Sequence, residues 1–516
     1  VTPEWEALGE DQGPVILYLL RKGDSMLEDS DQVQHRMLKL QRLRERGTEP
    51  YPARARRSHT AAEAIAAFEE AEASGSQAPT VQVTGRLRAI RVMGKSTFAH
   101  IEDGSGRIQI YLKRDNVGEE AYEIFKRDFD LGDFIGVEGH LFRTHTGEAT
   151  VNVQSYELLS KALHPLPEKW HGLKDVETRY RRRYLDLIAN EDVQHIFRTR
   201  SRIIAAMRQF LDGQGFLEVE TPTLQPIYGG AMARPFTTHH NALDMTLFLR
   251  ISDELYLKRL IVGGFDKVYE ICKDFRNEGV STKHNPEFTQ MECYWAYADY
   301  NDMMWLTEHM VAFIAEQALG STRFIYQGQE IDVTPPWRRW TLRDAIREQT
   351  GIDYMDFPTL EALWAEVQRR KLGVSPQPTW GKLIDELLGE TVEPTLMKPT
   401  FIKDYPIDIS PLAKASSEMP GHVERFEIFV GGLETGNAYS ELNDPLAQRQ
   451  RFEQQGLGAE AGDEEAHPMD EDYILALMHG MPPTGGLGVG VDRLTMLLTD
   501  QTSIREVILF PHMRGE

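Results

Sequence analysis

The sequence predicts an α+β fold in two parts: a small β-barrel near the N-terminus, then a larger, mainly antiparallel sheet flanked by helices. Three observations carry that expectation. Between Val81 and Leu158, apolar residues recur at every second position in short runs divided by Gly-containing turns. Beyond about residue 186, strand-like and helix-like segments alternate without the regular spacing of β-α-β units. With 516 residues, the chain has the length for more than one core.

Composition narrows the class. The 41% hydrophobic and 27% charged content is that of an ordinary globular protein. No stretch approaches the roughly 20 apolar residues of a membrane-spanning helix. The apolar run Pro14–Leu20 is too short for a signal-peptide core with a cleavage site. Cys272 and Cys293 are the sole cysteines. That excludes a disulfide framework, argues against a metal cluster, and points to a reducing, cytoplasmic setting. The net charge of −23 argues against a general nucleic-acid coat. A local exception runs from His35 to Ser58, where Arg36, Lys39, Arg42, Arg44, Arg46, Arg54, Arg56 and Arg57 meet only Glu45 and Glu49. On charge alone, a solvated face and a nucleic-acid surface are both open there.

Along the chain, residues 1–30 show little pattern. Met26 precedes a well-formed helix, so Val1–Ser25 is expected to lie upstream of the natural start, within an N-terminal extension. Residues 31–46 read as an amphipathic helix. Val33, Met37, Leu40 and Leu43 line one side, Arg and Lys the other, and Gly47 stops it. This helix opens a basic region over residues 31–65. The barrel domain is expected over 66–163. Val81, Val83, Leu87 and Ala89 alternate with polar residues in its first strand. Thr97, Ala99 and Ile101 alternate with Phe98 and His100 in the second, and Ile108, Ile110 and Leu112 with Gln109 and Tyr111 in the third. Strands near Phe134–Leu141 and Thr150–Leu158 complete five, the number of an oligonucleotide-binding (OB) fold. Its outward side carries Arg86, Arg88, Phe98, Gln109 and Tyr111: cations, rings for stacking and an amide for base edges, as single-stranded RNA recognition requires. Residues 164–185 read as a linker, with the basic run Arg179, Arg181, Arg182 and Arg183. The second domain is expected over 186–516, with an acidic, Gly-containing insertion at Gly456–Asp472.

Three tempting motifs fail on context. Gly94-Lys95-Ser96 resembles the end of a phosphate loop, but the first Gly position is Ala89 and the segment falls in a hairpin. Gly486-Leu487-Gly488-Val489-Gly490 lacks the third Gly of a dinucleotide loop. His239-His240 is not metal spacing and reads as a capped or packed pair.

The chemistry concentrates in four segments. Phe275-Arg276-Asn277-Glu278 leads through His284-Asn285-Pro286-Glu287-Phe288 to Glu292 and Tyr294. As a strand, this places Phe288, Gln290, Glu292 and Tyr294 on one face and Thr289, Met291, Cys293 and Trp295 on the other, the pattern of a polar pocket's floor. The remaining segments are Gly215 to Pro222, Glu427 to Glu441, and Gly485 to Arg493. Each alone is weak. Together, in chain order, Gly215–Pro222, Arg276–Tyr294 and Gly485–Arg493 resemble motifs 1, 2 and 3 of the class II aminoacyl-tRNA synthetases, with Glu427–Glu441 between the last two. The whole most closely resembles the bacterial lysyl-tRNA synthetases of subclass b. The similarity runs from about Asp31 to the C-terminus. It includes Arg234-Pro235-Phe236, Glu254-Leu255-Tyr256-Leu257-Lys258 and Tyr439-Ser440-Glu441-Leu442-Asn443-Asp444.

That resemblance implies a class II catalytic domain and a barrel that binds the anticodon. It implies activation of lysine with ATP and transfer to tRNA(Lys), with Mg²⁺ as metal and a homodimer joined at the motif 1 proline, Pro222. Arg276 and Arg493 are the implied catalytic residues. Arg276 would bridge the amino acid carboxylate and the α-phosphate, its planar fork suiting both. Glu278, His284 and Asn285 would hold ATP, with Gly488, and Phe288 and Arg493 would enclose adenine. Glu427 and Glu434 would bind the metal. Lysine would meet Glu254 and the Gly230 carbonyl at its α-ammonium, Glu441 and Tyr294 at its ε-ammonium, Asn437 at its carboxylate and Tyr439 along its stem, with Glu292 nearby. In the barrel, Phe98 would stack on a base of a uridine-rich anticodon and Gln109 would read one, with Arg86 and Glu148 contributing. Aspartyl and asparaginyl enzymes share the architecture, but an aspartate pocket would need a cation where Glu292, Tyr294 and Glu441 stand. A relative that charges proteins would lack the barrel, and an inactive paralogue would have lost Arg276, Arg493, Glu427 or Glu434.

Overall fold

Strict alternation over short runs forces strands to bury one face, and in the first part of the chain they do so by closing on themselves. The computed structural model describes residues 31–167, 173–460 and 468–515. The expected extension at 1–30 lies outside the described residues. The chain divides into two compact units, Val1–Gly172 and Leu173–Glu516.

In the first unit, β1 (Thr80–Met93), β2 (Ser96–Asp103), β3 (Gly106–Lys113), β4 (Phe134–Arg143) and β5 (Ala149–Ser160) form a closed barrel in the order β1-β2-β3-β5-β4. Val81, Val83, Leu87, Ala99, Ile101, Ile108, Ile110 and Leu112 fill it with Ile135, Val137, Val151 and Val153. At Gly139 a Cβ would lie 2.8 Å from the Asn152 carbonyl carbon, so a side chain there would hold β4 and β5 apart.

The basic side of helix Asp31–Glu45 is a correction. Arg36 is buried and donates to the carbonyls of Leu131, Ala162 and His164. Lys39 pairs with Asp130 at 2.6 Å and Arg42 with Asp128 at 2.7 Å. This part of the basic run therefore packs onto the unit's own carboxylates; charge spacing alone cannot distinguish paired from solvated arginines. Sequence reasoning also missed helix Ala61–Ser74, which opens on a capping box between Thr60 and Glu63. A border at 65/66 passes through it.

The second unit holds an eight-stranded sheet. Its strands are β6 (Leu217–Glu218), β7 (Lys267–Phe275), β8 (Glu287–Ala296), β9 (Arg338–Thr341), β10 (Thr400–Pro406), β11 (His422–Val430), β12 (Leu433–Ser440) and β13 (Thr484–Gly490). Their order is β9-β10-β11-β12-β13-β8-β7-β6, parallel only in the outermost pairs β9-β10 and β7-β6. One face carries Met291, Cys293, Phe426, Ala438, Leu487 and Val489. It packs on helices Glu191–Gly213 and Tyr300–Leu319 through Ile203, Met207, Met303, Met310 and Ile314. The opposite face, at the centre of the sheet, is left for the site.

Helices Val176–Arg181 and Arg183–Ala189 occupy much of the segment expected as a linker, and a border at 185/186 falls inside the second. The expected insertion Gly456–Asp472 begins in helix Pro445–Glu460. Its centre lies outside the described residues, and its end, Asp470 to Asp472, caps and opens helix Glu471–Met478. Among the described residues no helix is long and apolar enough to cross a membrane.

Arg183 ties the beginning of this unit to its end. Fully buried, it pairs with Asp186 at 2.6 Å and donates to the carbonyls of Arg505, Ile508 and Leu509. Arg183→Met leaves Asp186 with Arg179 at 3.0 Å as its remaining cation and takes the guanidinium from three carbonyls. It is expected to destabilise the protein by about 1–3 kcal/mol. Urea denaturation checks this: the midpoint should fall clearly, and an unchanged midpoint would contradict it.

Candidate active site

Period two explains the site's floor. Phe288, Gln290, Glu292 and Tyr294 project from β8 away from the apolar core. Across the ladder, Glu292 and Tyr294 face Gly488 and Gly486 of β13. Those glycines leave room above the sheet. The result is a cavity of about 680 Å³. Of the predicted residues, Gly230, Glu254, Arg276, Glu278, His284, Asn285, Phe288, Glu292, Tyr294, Glu434, Asn437, Tyr439, Gly488 and Arg493 all line it. Glu427 and Glu441 stand behind its wall, buried.

At one end are the cations. Arg276 leaves β7 in a loop, donates weakly to the Ile251 carbonyl at 3.4 Å, and sits 5.0 Å over the Phe288 ring. Arg493, in the first turn of helix Val491–Leu498, bonds the Glu434 carbonyl at 2.8 Å and its carboxylate at 2.9 Å, and lies 3.2 Å from His284 Nε2. Burial, then Arg493, holds His284 below its ordinary value, which favours the neutral ring that can accept from a guanidinium. Asn285 is fixed through its donation to the Glu287 carbonyl at 2.5 Å and its acceptance from the His512 amide at 3.3 Å.

Glu427 accepts from Arg425 at 2.6 Å and from the Tyr405 hydroxyl at 2.8 Å. Burial, reinforced by Glu434 and Asp385 against the pull of Arg425, pushes its carboxyl up to about 8. Burial also works against Glu434, but Arg493, Arg425 and Arg276 outweigh it and hold that carboxyl low. Asp385, on helix Trp380–Thr391, lines the cavity and adds a third nearby charge. Sequence reasoning missed it, since Asp385-Glu386 carries no motif. Hard oxygen donors of like charge, which repel one another, fit a divalent cation that takes its remaining ligands from phosphates and water.

The other end is acidic. Gly230 adopts φ 89°, and a Cβ there would meet Ser252 Oγ at 2.7 Å and Glu254 Cβ at 3.0 Å, so only glycine brings its backbone so near Glu254. Lys258, fully buried, forms ion pairs with both Glu254 and Glu441. Asn437 accepts from Arg425 at 3.1 Å and donates to the Tyr439 hydroxyl at 2.6 Å. A Cβ on Gly486 would reach 2.6 Å from Tyr294 Cε1 and collide with Glu441 Oε1, so this glycine keeps the inner end open.

Beside the floor, on the same face of the sheet as Gln290 and Phe288, one atom each of Asp253, Cys272 and Asp274 converges within 4.8 Å. Cysteine counting had set Cys272 aside, because it cannot reveal carboxylates from other segments. Arg250 pairs with Glu270 at 2.7 Å and with Asp274 at 3.6 Å. Neither Asp253 oxygen has a hydrogen-bond partner among the described residues. Burial and the nearby acids push Asp274 up to about 6 and Glu292 up to about 8.

In the first unit, Phe98 lies 4.6 Å from Tyr111, and Gln109 and His100 bond the two Glu148 oxygens at 2.7 and 2.8 Å. These residues form one patch. Arg86 is turned away, donating to the Gly132 carbonyl at 3.2 Å and lying 4.2 Å over Phe134. The cation opposite Phe98 is the exposed Arg91, which sequence reasoning missed because a bulge between Leu87 and Ala89 shifts the register.

Residues 175–514 match the family described as tRNA synthetases class II (D, K and N), and residues 81–159 match an OB-fold nucleic acid binding domain. The chain is similar to the lysine--tRNA ligase of Pelotomaculum thermopropionicum, 56% identical over 92% of this chain and 93% of that one. The namesake of Roseiflexus castenholzii is 55% identical over 95% and 99% of the two chains, and that of Bacillus subtilis 53% over 94% and 98%. The chain belongs to the lysine--tRNA ligase family of the class II tRNA synthetases. It is an ATP-dependent ligase of a family that binds tRNA and uses a divalent metal.

Glu292 gives this ligase a pH signature. It accepts from Ser252 at 2.9 Å, Gln290 at 2.7 Å and Tyr294 at 3.0 Å. Its carboxyl is raised from 4.5 to about 8. A raised carboxyl favours the folded state fully below the unfolded value and loses that contribution as pH climbs through the folded one. Glu292→Gln is therefore expected to raise the melting temperature relative to wild type at about pH 8.5 and to lose that advantage near pH 5. Equal shifts at both pH values would contradict the assignment.

Proposed function

We propose that the cavity activates L-lysine with ATP, forming lysyl-adenylate and pyrophosphate, and then passes lysine to the 3′ end of tRNA(Lys). The observation that carries this reading is the charge balance at the inner end. Glu254 and Glu441 share a single resident ammonium, that of Lys258, and the third carboxyl, Glu292, lies near Glu254 with no ion pair of its own among the described residues. A second ammonium is what that excess lacks, and a side-chain carboxylate would add to it.

The family resemblance implies the following roles, and the residues' positions in the cavity support them. Glu254 and the Gly230 carbonyl receive the α-ammonium. Glu441 and Tyr294 receive the ε-ammonium over Gly486, with Glu292 orienting the Tyr294 hydroxyl. Tyr439 packs on the methylene stem, and Asn437 holds the carboxylate. Arg276 spans that carboxylate and the α-phosphate, so the attacking oxygen is aligned and its repulsion from the phosphate is screened. Phe288 stacks on adenine and Arg493 closes over it, exchanging its bond to Glu434 for the nucleotide. His284, Asn285, Glu278 and the bare backbone at Gly488 hold the rest of ATP. Glu427 and Glu434 would hold Mg²⁺, which when bound neutralises the phosphates. The barrel patch of Phe98, Gln109 and Glu148 reads a uridine-rich anticodon, with Arg91, not the turned-away Arg86, as the cation opposite Phe98. The segment ending at Pro222 supports a homodimer, and the reducing environment expected for Cys272 and Cys293 supports a cytoplasmic enzyme.

Amino-acid-dependent ATP–pyrophosphate exchange with lysine, aspartate and asparagine side by side tests the reading. Exchange with lysine alone, abolished in Arg276→Ala, is expected; exchange with aspartate or asparagine would overturn the substrate. Phe98→Ala should weaken tRNA charging by about tenfold or more through lost stacking while sparing exchange. Equal losses in the two assays would refute an anticodon role.

A further inference from the structure

The two ammonium acceptors are not independent of each other. Glu254 opens helix Glu254–Val262, and Glu441 follows β12, its backbone amide bonded to the Thr484 carbonyl at 2.8 Å. Their backbones are thus anchored on different elements, and their carboxylates, both buried, carry like charge. Left alone, such groups repel strongly in a poorly solvated site and separate as far as their torsions allow. Lys258, one helical turn beyond Glu254, prevents this. Its ammonium pairs with Glu254 through Oε1 and with Glu441 through Oε2, and stands 5.8 Å from the centre of the Tyr294 ring. Apart from the ion pair of Oε2 with Lys258, neither Glu441 oxygen has a hydrogen-bond partner among the described residues, and Oε1 is the atom that a Gly486 side chain would strike. Glu441 therefore commits one oxygen to Lys258 and leaves the other behind the wall beside Gly486, a glycine that lines the cavity.

We infer that Lys258 is a positioning residue that ties Glu254 to Glu441 and thereby sets the length of diammonium substrate the site accepts. This rests on reading those carboxylates as the α- and ε-ammonium acceptors. A neutralising cation elsewhere in the pocket would not suffice, because it would compensate charge without fixing distance. A single ammonium in contact with both carboxylates does both. Ornithine, one methylene shorter, then leaves one acceptor unpaired, which a polar site penalises more heavily than an apolar one does.

The test is exchange kinetics of the full chain with lysine and with ornithine, for wild type, Lys258→Met and Lys258→Gln. Wild type should prefer lysine in kcat/KM by about a hundredfold or more, and Lys258→Met should lower that ratio by about tenfold. The loss should appear more in the lysine KM than in kcat. Losses of equal factor for both substrates would assign Lys258 a purely structural role and overturn the inference. Should the variants not fold, the wild-type enzyme still decides. Competition against lysine by diaminobutane, diaminopentane and diaminohexane should peak sharply at diaminopentane, whose nitrogens span the same number of carbons as those of lysine. A flat series would overturn a fixed spacing. Absence of exchange with lysine in wild type is a different failure: it would remove the lysine reading itself, and this inference with it.

Discussion

A carboxylate withdrawn from water must find a cation, a proton or a set of donors, and the catalytic sheet buries many of them on one face. The arrangement of the site follows from how each is compensated. Arg250 serves Glu270 and Asp274, Lys258 serves Glu254 and Glu441, Arg425 serves Glu427, and Arg493 serves Glu434. Glu292 has donors instead, from Ser252, Gln290 and Tyr294. These pairings fix rotamers that would otherwise be free, so the cavity is shaped before any ligand enters. They also leave specific deficits. The inner end, around Glu254 and Glu292, is acidic, while the other end has Arg276 and Arg493 lining the cavity.

The space for those charges comes from omission. β13 sends Leu487 and Val489 into the core, and on its other face it carries only glycine at 486, 488 and 490. A side chain at Gly486 would occupy the point where Tyr294 and Glu441 approach each other. The same strand thus seals the core and opens the pocket, which a period of two permits and a helix would not. Helices Glu191–Gly213 and Tyr300–Leu319 then hold the sheet rigid from behind, which keeps the floor residues at fixed spacing.

What was legible in the sequence is what local periodicity encodes. The faces of β8, the barrel strands and the order of the motif-like segments all follow from spacing along one segment. Pairing between distant segments does not. Arg36 looks like one more surface cation, yet its three carbonyl partners lie about a hundred residues away in sequence. Lys258 reads as a helix lysine at the usual i, i+4 distance from Glu254, and nothing in its neighbourhood announces Glu441. Asp385 and Asp253 are likewise placed by tertiary structure alone. Arg91 was hidden by a bulge that displaces alternation by one residue. Helix Ala61–Ser74 was a different kind of omission: Thr60 and Glu63 form a visible cap signal, but an alanine-rich run has weak amphipathic contrast.

The cavity is lined entirely by residues between Gly230 and Ile504, all within the second unit, whereas the Phe98, Gln109 and Glu148 patch lies wholly in the first. The proposed choice of amino acid and the proposed choice of nucleic acid therefore rest on separate hydrophobic cores. The two chemistries demand this. An ammonium pocket gains from burial, because a poorly solvated carboxylate binds an ammonium tightly and leaves an uncharged competitor facing an unpaired group. A base-reading surface must instead keep rings and amides accessible, and Phe98, Tyr111 and Gln109 do so by pointing away from the barrel interior. One core could not offer deep burial and an open aromatic face on the same strands, since alternation gives each strand a single buried side.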